Sequence, residues 1–390
     1  MHGLHRRLSG GCTVAKVPLT QETHLVDTSV MDPIWSRTDI DSAELYVRQA
    51  TIPSVGSEGL AKLRSSTIAV AGVGGVGSSA AYFLARSGVG RVRLIDQDIV
   101  EPSNLQRLHS ATREDLFHPK AEVLSRRLSD LGGWSKVEPI VETITDRNVG
   151  ELFRDVDLIF DGLDNFRTRY ILNKFVLQSQ TPYLFASAIS EQAHLALLSP
   201  PQTPCLECIM PHVVDRFEDS CETLGVGPSI TGLTGAIGAE TVIRFLLGTP
   251  TRLTRHMMTI DLGEPEFLFT KLLKRDDCVV CSGLAEENLE ASPTVTLLCG
   301  EHTANVLPFE RLDLQLSQIS ARFPIERILA TTDSVLVYRE GPYTISLFRD
   351  GRLLIGGIDE DAKALMVATQ VWRTVRNMKF AEAEESPPTI

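Results

Sequence analysis

The chain has 390 residues, with 50 Asp or Glu against 38 Lys or Arg, and its formal net charge is −12. A hydrophobic fraction of 43% and a charged fraction of 23% are typical of globular proteins and exclude a mainly disordered or fibrous chain. The acidic balance argues against nucleic acid and anionic membranes as general partners. No apolar run follows the basic N-terminal residues, and Gly and Ser interrupt the longest uncharged stretch. We therefore expect a cytoplasmic protein without a membrane-spanning segment.

In chain order, two short helical patterns, the first from Ala43 and the second ending near Leu63, precede a regular alternation of strands and helices. The predicted strands are Thr67–Ala71, Arg91–Asp96, Lys136–Val141, Val156–Asp161 and Tyr183–Ala188. The predicted helices between them are Ser78–Ser87, Lys120–Leu131 and Asn165–Gln178. Such alternation with short connections predicts a doubly wound, Rossmann-like, mainly parallel sheet covered on both faces.

After this alternation, the pattern predicts an antiparallel strand at Ala193–Leu198 and a helix at Ser229–Leu247. The C-terminal part has its own elements: strands Thr294–Leu298, Ser334–Tyr338, Tyr343–Arg349 and Arg352–Ile358, with helices Leu314–Arg322 and Asp359–Arg373. We therefore predict an extension (1–40), an α/β domain (41–282), a linker (283–293), a small α+β domain (294–376) and a flexible tail (377–390).

A glycine-rich loop follows the first predicted strand and begins the next helix. It contains Gly72, Gly74, Gly75 and Gly77, and the following strand ends at Asp96. Glycines let the backbone turn tightly and approach a phosphate at a helix N-terminus, while the acid can accept hydrogen bonds from a ribose. The loop predicts a nucleotide site but does not choose between NAD and ATP. Close helix packing is the alternative reason for these glycines.

Cations and acids follow the predicted strand ends. They are Asp98, the segment Asn104-Leu105-Gln106-Arg107, then Lys120, and later Asp161 and Asp164. Nucleotidyl transfer needs Arg and Lys to neutralise charge at phosphorus and a carboxylate to hold magnesium, whereas a dehydrogenase needs no such cations. Although lone charged residues are usually solvated surface groups, these would collect at the ligand-binding edge of the sheet.

Taken together, these motifs resemble those of the ubiquitin-activating-like adenylyltransferases of the ThiF/MoeB/HesA family. The resemblance covers residues 41–281 and rests on Arg48-Gln49, Gly72–Gly77, Asp96, Asn104–Arg107, Pro119-Lys120-Ala121 and Asp161–Asn165. One departure is Leu108, where the family commonly has Gln.

The resemblance implies that a carboxylate, normally at the C-terminus of a ubiquitin-like sulfur-carrier protein, attacks the α-phosphorus of ATP. It assigns the phosphates to Arg107 and Lys120, magnesium to Asp164, the ribose to Asp96, and nucleotide orientation to Asn104 and Gln106. Arg48 would reach into the site of a partner subunit, which implies a homodimer. Three alternatives remain: an enzyme that adenylates a ribosomal peptide, a nucleotide-sensing protein without turnover, and an NAD-dependent dehydrogenase.

Four of the seven cysteines form two C-x-x-C pairs, Cys205/Cys208 and Cys278/Cys281. Four thiolates are the ligand set of a closed structural zinc site, and the same arrangement occurs in the resembled family. Redox-active disulfides are the competing interpretation.

Cys221 stands apart from both pairs, and the family can use a cysteine at this place to hold the carrier as a thioester or persulfide. Its neighbours Asp219 and Glu222 should raise a thiol pKa, which favours the alternative of an unreactive cysteine. The C-terminal domain is either a packing module or a substrate-recognition module. It has no rhodanese-like cysteine loop, so any sulfur would come from a separate donor.

Overall fold

The computed structural model describes residues 44–130, 132–213, 215, 221–281, 294–298 and 302–385, with side chains except at 221–222 and 377–385. The predicted extension over 1–40 and the predicted linker over 283–293 lie outside these residues. Two sheets organise the described part of the chain.

The larger sheet has eight strands in the order β3-β2-β1-β4-β5-β6-β7-β8. Its strands are β1 (Thr67–Ala71), β2 (Arg91–Ile95), β3 (Lys136–Ile140), β4 (Leu158–Asp161), β5 (Tyr183–Ile189), β6 (Gln192–Leu198), β7 (His256–Asp261) and β8 (Glu266–Lys271). The first five are parallel, and β6 to β8 continue the sheet as an antiparallel extension. The mainly parallel sheet predicted from the sequence is confirmed.

Helices cover both faces of this sheet. They are α1 (Val47–Ala50), α2 (Gly56–Ser65), α3 (Gly75–Arg86), α4 (Lys120–Asp130), α5 (Val149–Leu152), α6 (Phe166–Ser179), α7 (Leu206–Ile209), α8 (Cys221–Leu224) and α9 (Pro228–Leu246). On one face, Leu84 of α3 and Val242 of α9 share a core with Val70 of β1. On the other face, Leu172 of α6 packs with Ile159 of β4. The central strands β1, β4 and β5 are apolar over nearly their whole length because both of their sides are buried.

Local sequence explains where α6 begins and ends. The side-chain oxygen of Asn165 accepts a hydrogen bond of 2.9 Å from the Thr168 amide, which satisfies one of the free N–H groups of the first turn. The helix stops at Gln180, whose φ of 59° is left-handed and whose amide bonds the Val176 carbonyl. The cap therefore places Asp164, the residue before it, directly after β4 and outside the helix.

The second sheet is antiparallel, in the order β11-β12-β13-β14-β10-β9. Its elements are β9 (Val295–Leu298), β10 (Thr303–Val306), α10 (Leu316–Ser320), β11 (Ile328–Thr331), β12 (Val335–Glu340), β13 (Tyr343–Phe348), β14 (Leu353–Gly356) and α11 (Asp361–Glu385). Its own core joins Leu347 and Ile355 of the sheet to Val371 of α11. A hairpin turn at Asp350-Gly351 connects β13 and β14, and Gly351 has the positive φ of 89° that favours glycine there.

In the second sheet domain, β10, β11 and α11 differ from the sequence-based prediction. β10 and β11 were not predicted, because each is only four residues long and lacks a clear alternation. α11 was predicted to end at Arg373 but continues to Glu385, so the tail predicted as flexible over 377–390 is helical for most of its length. Phe380-Ala381-Glu382-Ala383-Glu384 is rich in strong helix formers, which explains the extension. Neither α11 nor any other described helix is both long and apolar enough to cross a membrane.

Candidate active site

The chain reverses its direction of winding between β1 and β4, and ligands of open α/β sheets bind at the carboxyl ends of such strands. Gly72 follows β1, and its φ of +77° is the left-handed conformation that glycine adopts without strain. Gly162 follows β4, and a Cβ there would lie 2.8 Å from the Cα of Gly77. The backbones after the two strands are therefore in direct contact.

The four predicted glycines serve different purposes. A Cβ at Gly77 would lie 1.8 Å from the Gly72 carbonyl oxygen, so no side chain fits there. A Cβ at Gly75 would lie 2.9 Å from the side chain of Thr231, which shows that this position serves the packing of α3 against α9. Gly74 has nothing within 4 Å of its Cβ position, which leaves the backbone before α3 open to a ligand. Gly162 belongs to the motif Asp161–Asn165 noted in the sequence, but no role was assigned to it there.

Asp96 and Asp98 lie where β2 ends, beside the glycine loop. The Val73 amide donates to Asp96 Oδ2 and the Asp98 amide to Asp96 Oδ1, each at 2.7 Å. Burial raises the pKa of Asp96 to about 6, and the Lys120 ammonium partly opposes that rise. Lys120 begins α4, and its Nζ lies 3.0 Å from Asp98 Oδ2. The structure thus brings together the glycine loop, two acids and one cation at the same sheet edge.

A buried ion pair holds the loop that carries Asp164. The Arg169 Nε donates to Asp161 Oδ2 at 3.0 Å, and Tyr183 donates its hydroxyl proton to the same carboxylate. Arg169 also bonds the Leu163 carbonyl, so it fixes the backbone of the loop itself. Asp161, which belongs to the predicted motif, is fully buried, whereas Asp164 is exposed. The sequence did not indicate a role for Arg169, because it does not distinguish a buried arginine from one at the surface.

Magnesium fits the exposed carboxylate of Asp164, since this ion takes one or two protein carboxylates and completes its shell with phosphate oxygens and water. The side-chain Nδ2 of Asn165 donates a hydrogen bond of 3.2 Å to Asp164 Oδ1, which orients the carboxylate.

The predicted segment Asn104–Arg107 forms a short turn held by its own side chains. Asn104 is buried and accepts a hydrogen bond from the Glu101 amide at 3.2 Å, so its amide shapes the turn. Arg107 donates to the Ser103 carbonyl at 2.9 Å, and Gln106 donates to the Val226 carbonyl at 3.3 Å.

Leu108, the departure from the family pattern, is a core residue in this chain. It is buried in a small apolar cluster with Val100 and Val123. The side chain therefore stabilises the segment after Arg107 by packing, and no polar group is needed at this position.

Arg48 lies apart from the other candidates. Its neighbour Gln49 donates to the Ser87 carbonyl at 3.1 Å, which anchors α1 at the C-terminal end of α3. The glycine loop lies at the opposite end of α3, and a helix of 12 residues is about 18 Å long. The exposed side chain of Arg48 thus lies far from the phosphate loop of its own chain.

The four paired cysteines converge, with all Sγ atoms within 4.8 Å of one another. The distances are 3.9 Å for Cys205–Cys208, 3.8 Å for Cys205–Cys278 and 3.6 Å for Cys208–Cys281. Tetrahedral zinc with Zn–S bonds of about 2.3 Å requires Sγ separations of about 3.8 Å, so the cluster fits zinc. Disulfides would require about 2 Å. Asn173 of α6 accepts a hydrogen bond of 2.8 Å from the Leu206 amide, which anchors the cluster to the sheet domain.

Cys221 is the first residue of α8, but its side chain lies outside the described part of the structure. Its predicted thioester or persulfide chemistry therefore stays a prediction.

In a comparison with protein families, the model of the ThiF family matches residues 46–280. The chain is 28% identical over 327 residues to the sulfur carrier protein ThiS adenylyltransferase of Bacillus subtilis, covering 82% of this chain and 96% of that protein. It is 32% identical over 253 residues to the sulfur carrier protein adenylyltransferase of Thermus thermophilus, covering 63% and 92%. The first match is longer than the span from 46 to 280, so it includes residues beyond the family model.

Among solved structures, the chain is similar to Escherichia coli MccB in complex with MccA-N7isoASN. The TM-score is 0.52 at 24% identity, with 57% of this chain and 69% of that chain covered. At this identity the likeness supports the fold alone.

Proposed function

This chain belongs to the ThiF family, and on that premise we propose that its substrate is the C-terminal carboxylate of a ubiquitin-like sulfur-carrier protein. The chain is an ATP-dependent adenylyltransferase, as the names of its relatives indicate. The observation that carries the proposal is the grouping of Lys120, Asp98 and Asp96 beside the glycine loop. The two sulfur-carrier adenylyltransferases among its relatives support this class of carboxylate.

In the proposed reaction, a carboxylate oxygen of the carrier attacks the α-phosphorus of ATP, and the bond from that phosphorus to the bridging oxygen breaks. The bonding electrons leave with pyrophosphate, and the carrier becomes an acyl adenylate that a separate sulfur donor can attack. We assign Lys120 and Arg107 to the phosphates, because fixed cations stabilise charge that develops on phosphate oxygens. Asp96 keeps lone pairs for a ribose hydroxyl, and Asn104 and Gln106 orient the nucleotide through their turn.

Two metals belong to the proposal. Magnesium held by Asp164 would neutralise charge on the phosphates of ATP. Zinc held by the four cysteines would be structural, since a closed site of four thiolates has no position for substrate or water.

We also propose that the enzyme is a cytoplasmic homodimer. The distance of about one helix length between Arg48 and its own phosphate loop supports a role for Arg48 in the site of the partner subunit. Four free thiols that are to bind zinc need a reducing compartment, which supports the cytoplasm.

The function is tested by ATP–pyrophosphate exchange in the presence of candidate carrier proteins. We expect labelled pyrophosphate to enter ATP only with a carrier that has a free C-terminal carboxylate, and mass spectrometry should detect the acyl adenylate. The matched control is the same carrier with its C-terminus amidated. If exchange occurs with a short ribosomal peptide but with none of the carrier proteins, the peptide-modifying alternative is favoured instead.

We predict that ATP affinity depends on the ionisation of Asp96. Because burial raises the pKa of this carboxyl to about 6, its charged fraction falls about tenfold between pH 7 and pH 5. If the charged carboxylate accepts a hydrogen bond from the ribose hydroxyl, the Kd for ATP should rise by about the same factor between pH 7 and pH 5, as measured by calorimetry. The Asp96→Asn variant should bind ATP more weakly than the wild type at pH 7. Its Kd for ATP should change with pH only through the titration of ATP itself. Identical pH profiles for both proteins would contradict the assignment.

A further inference from the structure

Arg352, in the second sheet domain, is completely buried and contacts the loop after β2. Its Nη2 donates a hydrogen bond of 2.7 Å to the backbone carbonyl of Gln97. Its guanidinium carbon lies 3.5 Å from the centre of the Phe348 ring. Gln97 is the residue between Asp96 and Asp98, so this bond holds the peptide that separates the two acids of the proposed nucleotide site.

A buried arginine is costly to the fold unless neighbouring groups compensate its charge. Burial lowers the pKa of Arg352, and the charges of Asp350, Asp98, Asp96 and Glu142 oppose that shift. Among the described residues, its Nε atom has no hydrogen-bond partner. The compensation therefore comes first from Asp350 in the same turn, and then from acids across the domain contact, including both acids at the end of β2.

Asn305 of β10 makes a second connection to the same sheet edge. Its Nδ2 lies 3.4 Å from Gln97 Oε1 and 3.1 Å from Thr143 Oγ1, and its Oδ1 lies 3.5 Å from Arg352 Nη1. Gln97 follows β2 and Thr143 follows β3, so one amide bridges the ends of two neighbouring strands. Asn305 is only 3% exposed, which means that water does not compete for these bonds.

Further contacts join the second sheet domain to the first around Arg352 and Asn305. Arg311 pairs with Glu142 at 2.6 Å, and the Ser334 hydroxyl donates to Glu122 of α4. Ile99, the residue after Asp98, packs in an apolar cluster with Phe348 and other residues of the second sheet. Because the second sheet domain contacts the first at all of these residues, a shift of the second sheet would also shift the loop from Asp96 to Ile99.

We infer that Arg352 is a positioning residue for nucleotide binding: its bond to the Gln97 carbonyl sets the orientation of Asp96 toward the ribose and of Asp98 toward Lys120. The inference rests on the proposed function, because it uses the nucleotide roles of Asp96 and Lys120. It gives the second sheet domain a part in adenylation beyond packing or substrate recognition.

The test compares ATP binding by the full-length wild type and by Arg352→Met, measured by calorimetry without any carrier. We expect the Kd for ATP to rise at least tenfold in Arg352→Met, with partial recovery in Arg352→Lys, which keeps the charge. The matched control is Arg349→Met, in the same turn between β13 and β14, because the side chain of Arg349 is exposed and pairs with Asp313 of its own domain at 2.8 Å. That variant should bind ATP like the wild type.

Steady-state kinetics separate positioning from general destabilisation. A positioning role predicts a higher KM for ATP with kcat and the KM for the carrier nearly unchanged, whereas a loss of folded protein lowers kcat alone. Should Arg352→Met fail to fold, Asn305→Ala tests the same contact, and we expect its Kd for ATP to rise about threefold.

The possible failures are distinct. A wild type that does not bind ATP would refute the proposed function. A wild type that binds ATP, together with a folded Arg352→Met or Asn305→Ala of unchanged affinity, would refute only the positioning role.

Discussion

Replacing Lys120 by alanine is expected to lower ATP–pyrophosphate exchange by about a thousandfold while the protein stays folded. The Lys120 side chain is only 11% exposed, and its ammonium lies at the sheet edge beside the glycine loop, where a fixed cation stabilises phosphate charge most strongly. The change has a second effect, because the same ammonium lowers the pKa of Asp96. Without it, more of the Asp96 carboxyl is protonated at neutral pH, and ribose binding weakens as well.

Lys136→Ala is the matched control for this experiment. Lys136 begins β3, is 69% exposed and pairs with Glu138 at 2.8 Å, so its removal costs the fold a similar ion pair but touches no candidate site residue. Exchange should remain at the wild-type rate in this variant, and circular dichroism should be unchanged in both. Full exchange by a folded Lys120→Ala would remove the main support for nucleotidyl transfer at this edge.

Replacing Cys278 by serine is expected to remove about one zinc per chain and to lower the midpoint of thermal unfolding by at least about 10 °C. Four thiols converge in the wild type, and three of these cysteines are 6% exposed or less, so an ion bound by them would be tied into the fold. Losing one thiolate weakens the remaining site, and the turn at Cys278–Cys281 loses its attachment to α7. Metal analysis by mass spectrometry and differential scanning calorimetry measure the two effects.

Cys221→Ser provides the control, because this residue belongs to neither C-x-x-C pair. It should keep full zinc content and the wild-type unfolding midpoint, whatever its role with the carrier. A wild-type protein that is purified without chelators and contains no zinc would contradict the structural site. So would a Cys278→Ser variant with unchanged thermal stability.

The site could be predicted from the sequence where its residues are close together in the chain. The strand, the glycine loop and the acid at the end of the next strand form one local pattern, and the structure places Gly72 and Asp96 as that pattern requires. The two C-x-x-C pairs were equally visible, and their convergence was predicted from the chemistry of zinc. In each case a short motif determined the local geometry.

The missed residues depend on partners distant in sequence. Arg169 and Arg352 look like surface cations in a sequence, yet each is buried against a specific partner: Asp161 for the first and the Gln97 carbonyl for the second. β10 was missed because Asn305 interrupts its apolar pattern, and the reason for that polar residue is its contact with Thr143. No periodicity within a single element contains this information.

The spacing of the cysteines has a consequence for synthesis of the protein. Cys205 and Cys278 are 73 residues apart, so the ribosome makes the second half of the metal site about 4 to 15 s after the first. During that interval Cys205 and Cys208 can offer a metal only two thiolates, while α9, β7 and β8 are still being added. In the proposed zinc site the ion would therefore be captured late, and an ion or oxidant that reaches the first pair early would compete with correct maturation. With zinc as the proposed ion, the length of chain between the pairs would make the cellular zinc supply a determinant of how much enzyme is completed.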